Sequence, residues 1–149
     1  MSEYRITRLP YREDPRPYYE QLRGLPWPVW LDSGFPRSGA GRYDVISADP
    51  YATLTVRGTE GLWQSGGAQQ VFAAKDALNR LRDELGEHAQ APPDLALAGG
   101  AIGFLAYDWA RATGALASRE GLPICPQVAI GVYDWSLVID HAHRRAFFV

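Results

Sequence analysis

Residues 30–58 read W-L-D-S-G-F-P-R-S-G-A-G-R-Y-D-V-I-S-A-D-P-Y-A-T-L-T-V-R-G, and this stretch decides the fold class. Two apolar runs are joined by a glycine-bearing loop, 34–41, and a third run, Ala52–Arg57, follows A-D-P. β-Branched and aromatic runs bounded by Gly, Pro and Asp are strand signals. A loop of this length is generous for a hairpin, whose connections usually run about 2–5 residues, and it is a candidate binding loop. Polar residues sit at both of its ends: Asp32 and Ser33 close the first strand, and Arg42 and Tyr43 open the second. From these residues alone, a solvated hairpin loop and a binding loop stand as equal alternatives.

Outward from this stretch the strand pattern continues. Residues 4–9 alternate and predict an opening strand. Asp14 is placed to cap a helix that starts at Pro15 and runs through Tyr18, Tyr19 and Leu22 to Gly24. Pro26 and Pro28 then force an extended entry into a strand over 29–33. Further strands are expected at 43–48, Ala52–Arg57, 61–64 and 69–73, with Gly66-Gly67 as a turn. The one long helix spans 74–85. Ala77, Leu78, Leu81 and Leu85 form its apolar stripe, Gly86 ends it, and Arg80, Arg82, Asp83 and Glu84 make a solvated face.

Residues 87–94, with Pro92-Pro93, read as a linker. Residues 95–107 and 127–140 are nearly continuous apolar runs, which implies central strands buried on both faces. The expected architecture is α+β over a single domain, 1–149: an antiparallel β-sheet or sandwich with one or two helices packed outside. The run Ala146-Phe147-Phe148-Val149 reads as a strand of a longer protein, a natural terminal strand being the alternative.

Composition excludes several classes. The chain has 149 residues, 46% hydrophobic and 12% aromatic, which is too apolar for disorder. A formal charge of −2 argues against a general nucleic-acid binder. The sequence has no apolar run of the ~18–20 residues that a membrane span needs and no signal peptide, so a cytoplasmic protein is expected. The single cysteine, Cys125, excludes an internal disulfide and is expected to be buried and inert. His141 and His143 are expected at a solvated hairpin tip, and with three histidines in all no metal-ligand spacing appears.

Enzyme templates fail one by one. There is no G-x-S-x-G elbow, and Gly39-Ala40-Gly41-Arg42 lacks the lysine of a phosphate-binding loop. Gly99-Gly100-Ala101-Ile102-Gly103 has the wrong spacing for a dinucleotide fingerprint and instead marks close backbone approach. Asp108 is best placed as a helix cap, and Trp109 and Trp135 as packing residues. No catalytic residue is assigned. A small-ligand pocket is the better prospect. Arg42 offers a fork of donors for a carboxylate, Asp32 a partner for an ammonium, Ser33 a hydroxyl, and Tyr43 with Phe104 a ring sandwich. The alternative for Arg42 is a buried structural pair with Asp32, Asp44 or Asp49.

Three blocks carry a family resemblance. L-D-S at 31–33, G-R-Y-D at 41–44 and A-D-P at 48–50 resemble the L-L-E-S, G-R-Y-S and G-A-D-P of the anthranilate synthase component I N-terminal domain. G-G-A-I-G-F-L-A-Y-D-W-A-R at 99–111 resembles its G-G-x-x-G-Y-x-x-Y-D segment. V-Y-D-W-S-L-V-I-D-H at 132–141 resembles the strand before the crossover into the chorismate-utilising domain. Aspartate at 32 and Y-D at 43–44 lean toward the aminodeoxychorismate synthase branch, with anthranilate synthase and a stand-alone ligand-binding domain as alternatives.

The resemblance implies a non-catalytic N-terminal domain whose full enzyme aminates chorismate for para-aminobenzoate and folate synthesis. It implies a glutamine amidotransferase partner subunit that supplies ammonia, and Mg²⁺ and catalytic residues in a downstream chorismate-utilising domain. It also implies a pocket for L-tryptophan between sheet layers, carried over here to Leu31, Asp32, Ser33, Arg42 and Tyr43. Asp32 is one methylene shorter than the family's glutamate.

Overall fold

The computed structural model describes residues 5–86, 95–109 and 125–149. Its strands and helices follow in the order β1 (Thr7–Leu9), α1 (Arg16–Leu22), β2 (Val29–Leu31), β3 (Tyr43–Ser47), β4 (Ala52–Arg57), β5 (Glu60–Ser65) and β6 (Ala68–Ala73). A 3₁₀ turn, Ala74–Asp76, then leads into α2 (Ala77–Leu85), β7 (Gly100–Leu105), β8 (Val128–Tyr133), β9 (Leu137–Asp140) and β10 (Arg145–Phe148). The strands form two five-stranded sheets, ordered β1-β10-β9-β3-β2 and β6-β5-β4-β8-β7. The expected α+β class with antiparallel sheets and two helices holds.

The chain divides into two compact units, each built on one sheet. The first takes its described residues from Met1–Pro50, Ala89–Gly100 and Tyr133–Val149. Its core is Ile46, Leu137, Ile139 and Ala146, covered by Tyr18, Tyr19 and Leu22 of α1 and by Trp30. The second takes them from Tyr51–His88 and Ala101–Val132. Its core contains Leu54, Val56, Trp63, Val128 and Val132, with Ala77, Leu81 and Leu85 of α2 packed on it. The apolar stripe read from the sequence is thus the buried face of α2.

Local signals place most boundaries. Asp14 accepts a hydrogen bond from the Arg16 backbone N–H at 3.1 Å, so it does satisfy an orphan donor at the start of α1, although Pro15 holds the cap position. Gly86 ends α2 with φ +58. The turn between β5 and β6 uses Gly66 and Gly67, both at positive φ, as a tight hairpin requires.

Two expectations are corrected. The run 127–140 is two strands in different sheets, broken at residues 134–136. Both are almost wholly buried and interior to their sheets, as apolar runs without alternation require. The run 95–107 is different. Only Gly100–Leu105 is strand, because Gly99 and Gly100 adopt φ +104 and +128. β7 lies at a sheet edge with Phe104 and Leu105 exposed, so it is not central. The expected solvated face of α2 also needs one amendment: Arg80 is not simply solvated, since its guanidinium lies 4.0 Å over the Trp63 ring and pairs with Glu84.

Candidate functional site

Strand pairing sorts the predicted site residues by face. In the β2–β3 hairpin Leu31 stands opposite Val45, and Trp30 opposite Ile46. Cross-strand partners share a face and neighbours along a strand alternate. Leu31, Tyr43 and Val45 therefore belong to one face of the first unit's sheet, and Trp30, Asp44 and Ile46 to the face covered by α1. Asp32 lies with the second group, lining a cavity with Trp30 and Asp44. Phe104 belongs to the other unit, on β7, and is 47% exposed. The six predicted residues do not line one pocket within a unit.

Just past the end of β2 the informative residue is Ser33. Its Oγ is buried and has no hydrogen-bond partner. A buried hydroxyl left unpaired costs about 1–3 kcal/mol, which makes it a natural point for a ligand contact. Gly41 closes over it. A Cβ there would lie 2.8 Å from the Ser33 carbonyl oxygen and 3.0 Å from Ser33 Oγ, so only glycine allows the loop to fold back this tightly. Arg42 already has a partner and stays half-exposed: its guanidinium lies 4.4 Å over the Tyr43 ring and pairs with Asp140 at 3.4 Å. The sequence alternatives for its partner, Asp32, Asp44 and Asp49, are replaced by a residue far along the chain, which antiparallel β3–β9 pairing places opposite Tyr43.

Asp140 is the centre of a charged cluster. Its buried carboxylate accepts hydrogen bonds from Arg42, Arg145 and the His143 backbone N–H, and contacts His143 Nδ1 at 2.8 Å. Burial pushes this carboxyl up, but the hydrogen bonds from His143, Arg42 and Arg145 outweigh it and hold the pKa at about 2.

The α1 face carries a second cluster that the sequence reading missed. Asp44 is 1% exposed and accepts hydrogen bonds from the Ser33 backbone N–H at 2.8 Å and from Trp30 Nε1 at 3.2 Å. His141 is also buried, contrary to the expected solvated tip; only His143 is exposed there. The His141 ring stacks on Phe35 at 4.3 Å, its Nδ1 meets the Tyr11 hydroxyl at 3.1 Å, and its Nε2 stands 3.6 Å from Asp44. Burial raises the Tyr11 pKa, so that group remains a phenol. An acid at an interior strand position was the available signal for Asp44; nothing local marked His141. Cys125, expected to be buried, is exposed. Its neighbours Ile124 and Pro126 misled, because a flanking apolar residue says nothing about the side the thiol faces.

Comparison with known proteins gives the context. The chain is 36% identical over 145 residues to "Aminodeoxychorismate synthase component 1" of Klebsiella aerogenes, covering 94% of this chain and 32% of that protein. The protein of the same name in Escherichia coli K12 is 33% identical over 142 residues, 91% of this chain and 31% of its own length. The chain belongs with the N-terminal third of these component 1 proteins. "Anthranilate synthase component 1" of Thermococcus kodakarensis is 28% identical over 129 residues, 87% of this chain and 27% of its own, so the first branch fits better. No family model matches the chain. The chain spans about a third of the length of the curated relatives it matches.

Among the described residues no group of three or more His, Cys, Asp or Glu side chains could hold a metal ion. Among the same residues, no helix is long and apolar enough to cross a membrane.

Proposed function

We propose that this chain is a non-catalytic N-terminal domain within an aminodeoxychorismate synthase component 1, and that it holds an amino acid, L-tryptophan, at Ser33. The observation that carries the domain reading is near-complete coverage of this chain against only a third of its relative. In the longer protein chorismate would be aminated to 4-amino-4-deoxychorismate. Ammonia would come from a glutamine amidotransferase partner, and Mg²⁺ would be held in the remaining two-thirds.

The ligand reading rests on Ser33 Oγ, a buried hydroxyl without a partner beneath a loop that only Gly41 can close. Leu31, two residues before it, and Tyr43 belong to one face of the sheet. Arg42, stacked over Tyr43, keeps a half-exposed guanidinium that can meet a carboxylate while it pairs with Asp140.

Calorimetric titration of the chain with L-tryptophan, with chorismate as control, tests this reading. Tryptophan is expected to bind and chorismate not to. Ser33→Ala should weaken tryptophan by about tenfold, the equivalent of one buried hydrogen bond of roughly 1.4 kcal/mol. Equal binding to the variant and the parent would remove Ser33 from the site. The same titration on the longer protein, with its ammonia-dependent activity followed, separates a structural ligand from an inhibitory one.

A further inference from the structure

We infer that the outer edge of β6 pairs with the same edge of a second copy of this chain, antiparallel about a two-fold axis at Val71. β6 is the end strand of the second unit's sheet, and among the described residues no strand lies on its other side. All of its residues except Phe72 are exposed, Val71 by 65%.

Hairpin geometry fixes which backbone groups are free. The two-residue Gly66-Gly67 turn makes Ser65 and Ala68 a hydrogen-bonded pair, and such pairs alternate along an antiparallel ladder. Ala68, Gln70 and Phe72 therefore turn their N–H and C=O groups toward β5. The Ala74 N–H continues this series, donating to the Thr59 carbonyl at 2.9 Å. Gln69, Val71 and Ala73 turn theirs outward, to the open edge. The register runs pair for pair from Ser65↔Ala68 to Glu60↔Ala73 without a bulge, so the outward groups form an unbroken row.

Edge strands are normally blunted by a charge, a proline or a bulge, because an open row of donors and acceptors recruits another strand. Residues 68–73, A-Q-Q-V-F-A, carry none of these. Charge and symmetry name the occupant. An edge built for a foreign strand can carry charges complementary to it, whereas an edge that meets itself sets like charges together and must be neutral. Pairing about Val71 sets it opposite the partner's Val71, Gln69 opposite the partner's Ala73 and Gln70 opposite the partner's Phe72. The outward groups of the two copies then meet as hydrogen-bonded pairs, and each exposed valine is covered by its counterpart. One strand pair is small beside the ~1,200–2,000 Å² of a stable interface, so the dimer should be weak, with a Kd on the order of 0.1 mM.

Sedimentation equilibrium of the chain from about 10 µM to about 1 mM brackets that value. The mass is expected to move reversibly from monomer toward dimer. Val71→Pro removes an outward N–H and no bond to β5, so it should keep the parent's denaturant midpoint and weaken the dimer at least tenfold. Val71→Lys, at an exposed position, sets two ammonium groups opposite each other and should weaken it about fivefold. Mixing that variant with Val71→Glu should restore association. A chain that stays monomeric at about 1 mM, a Val71→Pro dimer as tight as the parent's, or a mixture no tighter than either variant alone would overturn the proposal.

Discussion

At the residue scale, Asp140 shows how one buried carboxylate can organise a turn. Three side chains converge on it: Arg42 from before β3, and His143 and Arg145 from the turn into β10. Its folded pKa of about 2 lies below the ordinary carboxylate value near 4. The unfolded chain therefore takes up the proton first as pH falls. The stabilisation is fully present above about pH 4 and is lost between about pH 4 and 2. Denaturant melts at pH 6 and pH 3 should show a drop in stability that Asp140→Asn largely removes; an identical drop in the variant would assign the acid sensitivity elsewhere. Arg42 and Asp140 were each visible in the sequence, but their pairing was not. The aspartates near Arg42 in the chain are not its partner; strand pairing supplies one 98 positions away.

At the element scale, glycine spacing governs β7. A Cβ on Gly103 would strike the Ala129 carbonyl oxygen and come within 2.6 Å of Ile130 Cα, both backbone atoms of β8. Backbone cannot swing aside as a side chain can, so Gly103→Ala should destabilise by about 1–3 kcal/mol, read as a lower denaturant midpoint. An unchanged midpoint would mean that β7 does not approach β8 this closely. The Gly99–Gly103 segment was correctly read as a place of close backbone approach. Its edge position was not legible. Phe104 and Leu105 are as apolar as any core pair, and hydrophobicity alone does not report which strand has a neighbour on only one side.

At the scale of the whole molecule, the two units are interleaved along the chain: it leaves the first after Pro50, is back in it by Gly100, re-enters the second at Ala101 and returns to the first at Tyr133. Each unit nonetheless has its own core, so each should feel its own cavity mutations. Ile139→Ala in the first and Leu54→Ala in the second remove fully buried side chains. Each should cost about 2–5 kcal/mol, measured by equilibrium denaturation. A loss below about 1 kcal/mol at either position would contradict its burial.

The sequence by itself determined the secondary structure of 29–86 almost residue by residue, because alternation, turn glycines and the α2 stripe are local properties of short windows. It also determined kinship, since the motif blocks at 31–50, 99–111 and 132–141 lie within a chain that matches its relatives nearly end to end. Only the tertiary structure decided which face each candidate residue occupies. A shift of one residue in pairing moves a side chain across the sheet, and pairing between distant strands leaves no local trace. That is why Asp32 parted from Leu31 and Tyr43, why Arg42 found Asp140, and why His141, read as a solvated tip residue, proved to be buried beside Asp44.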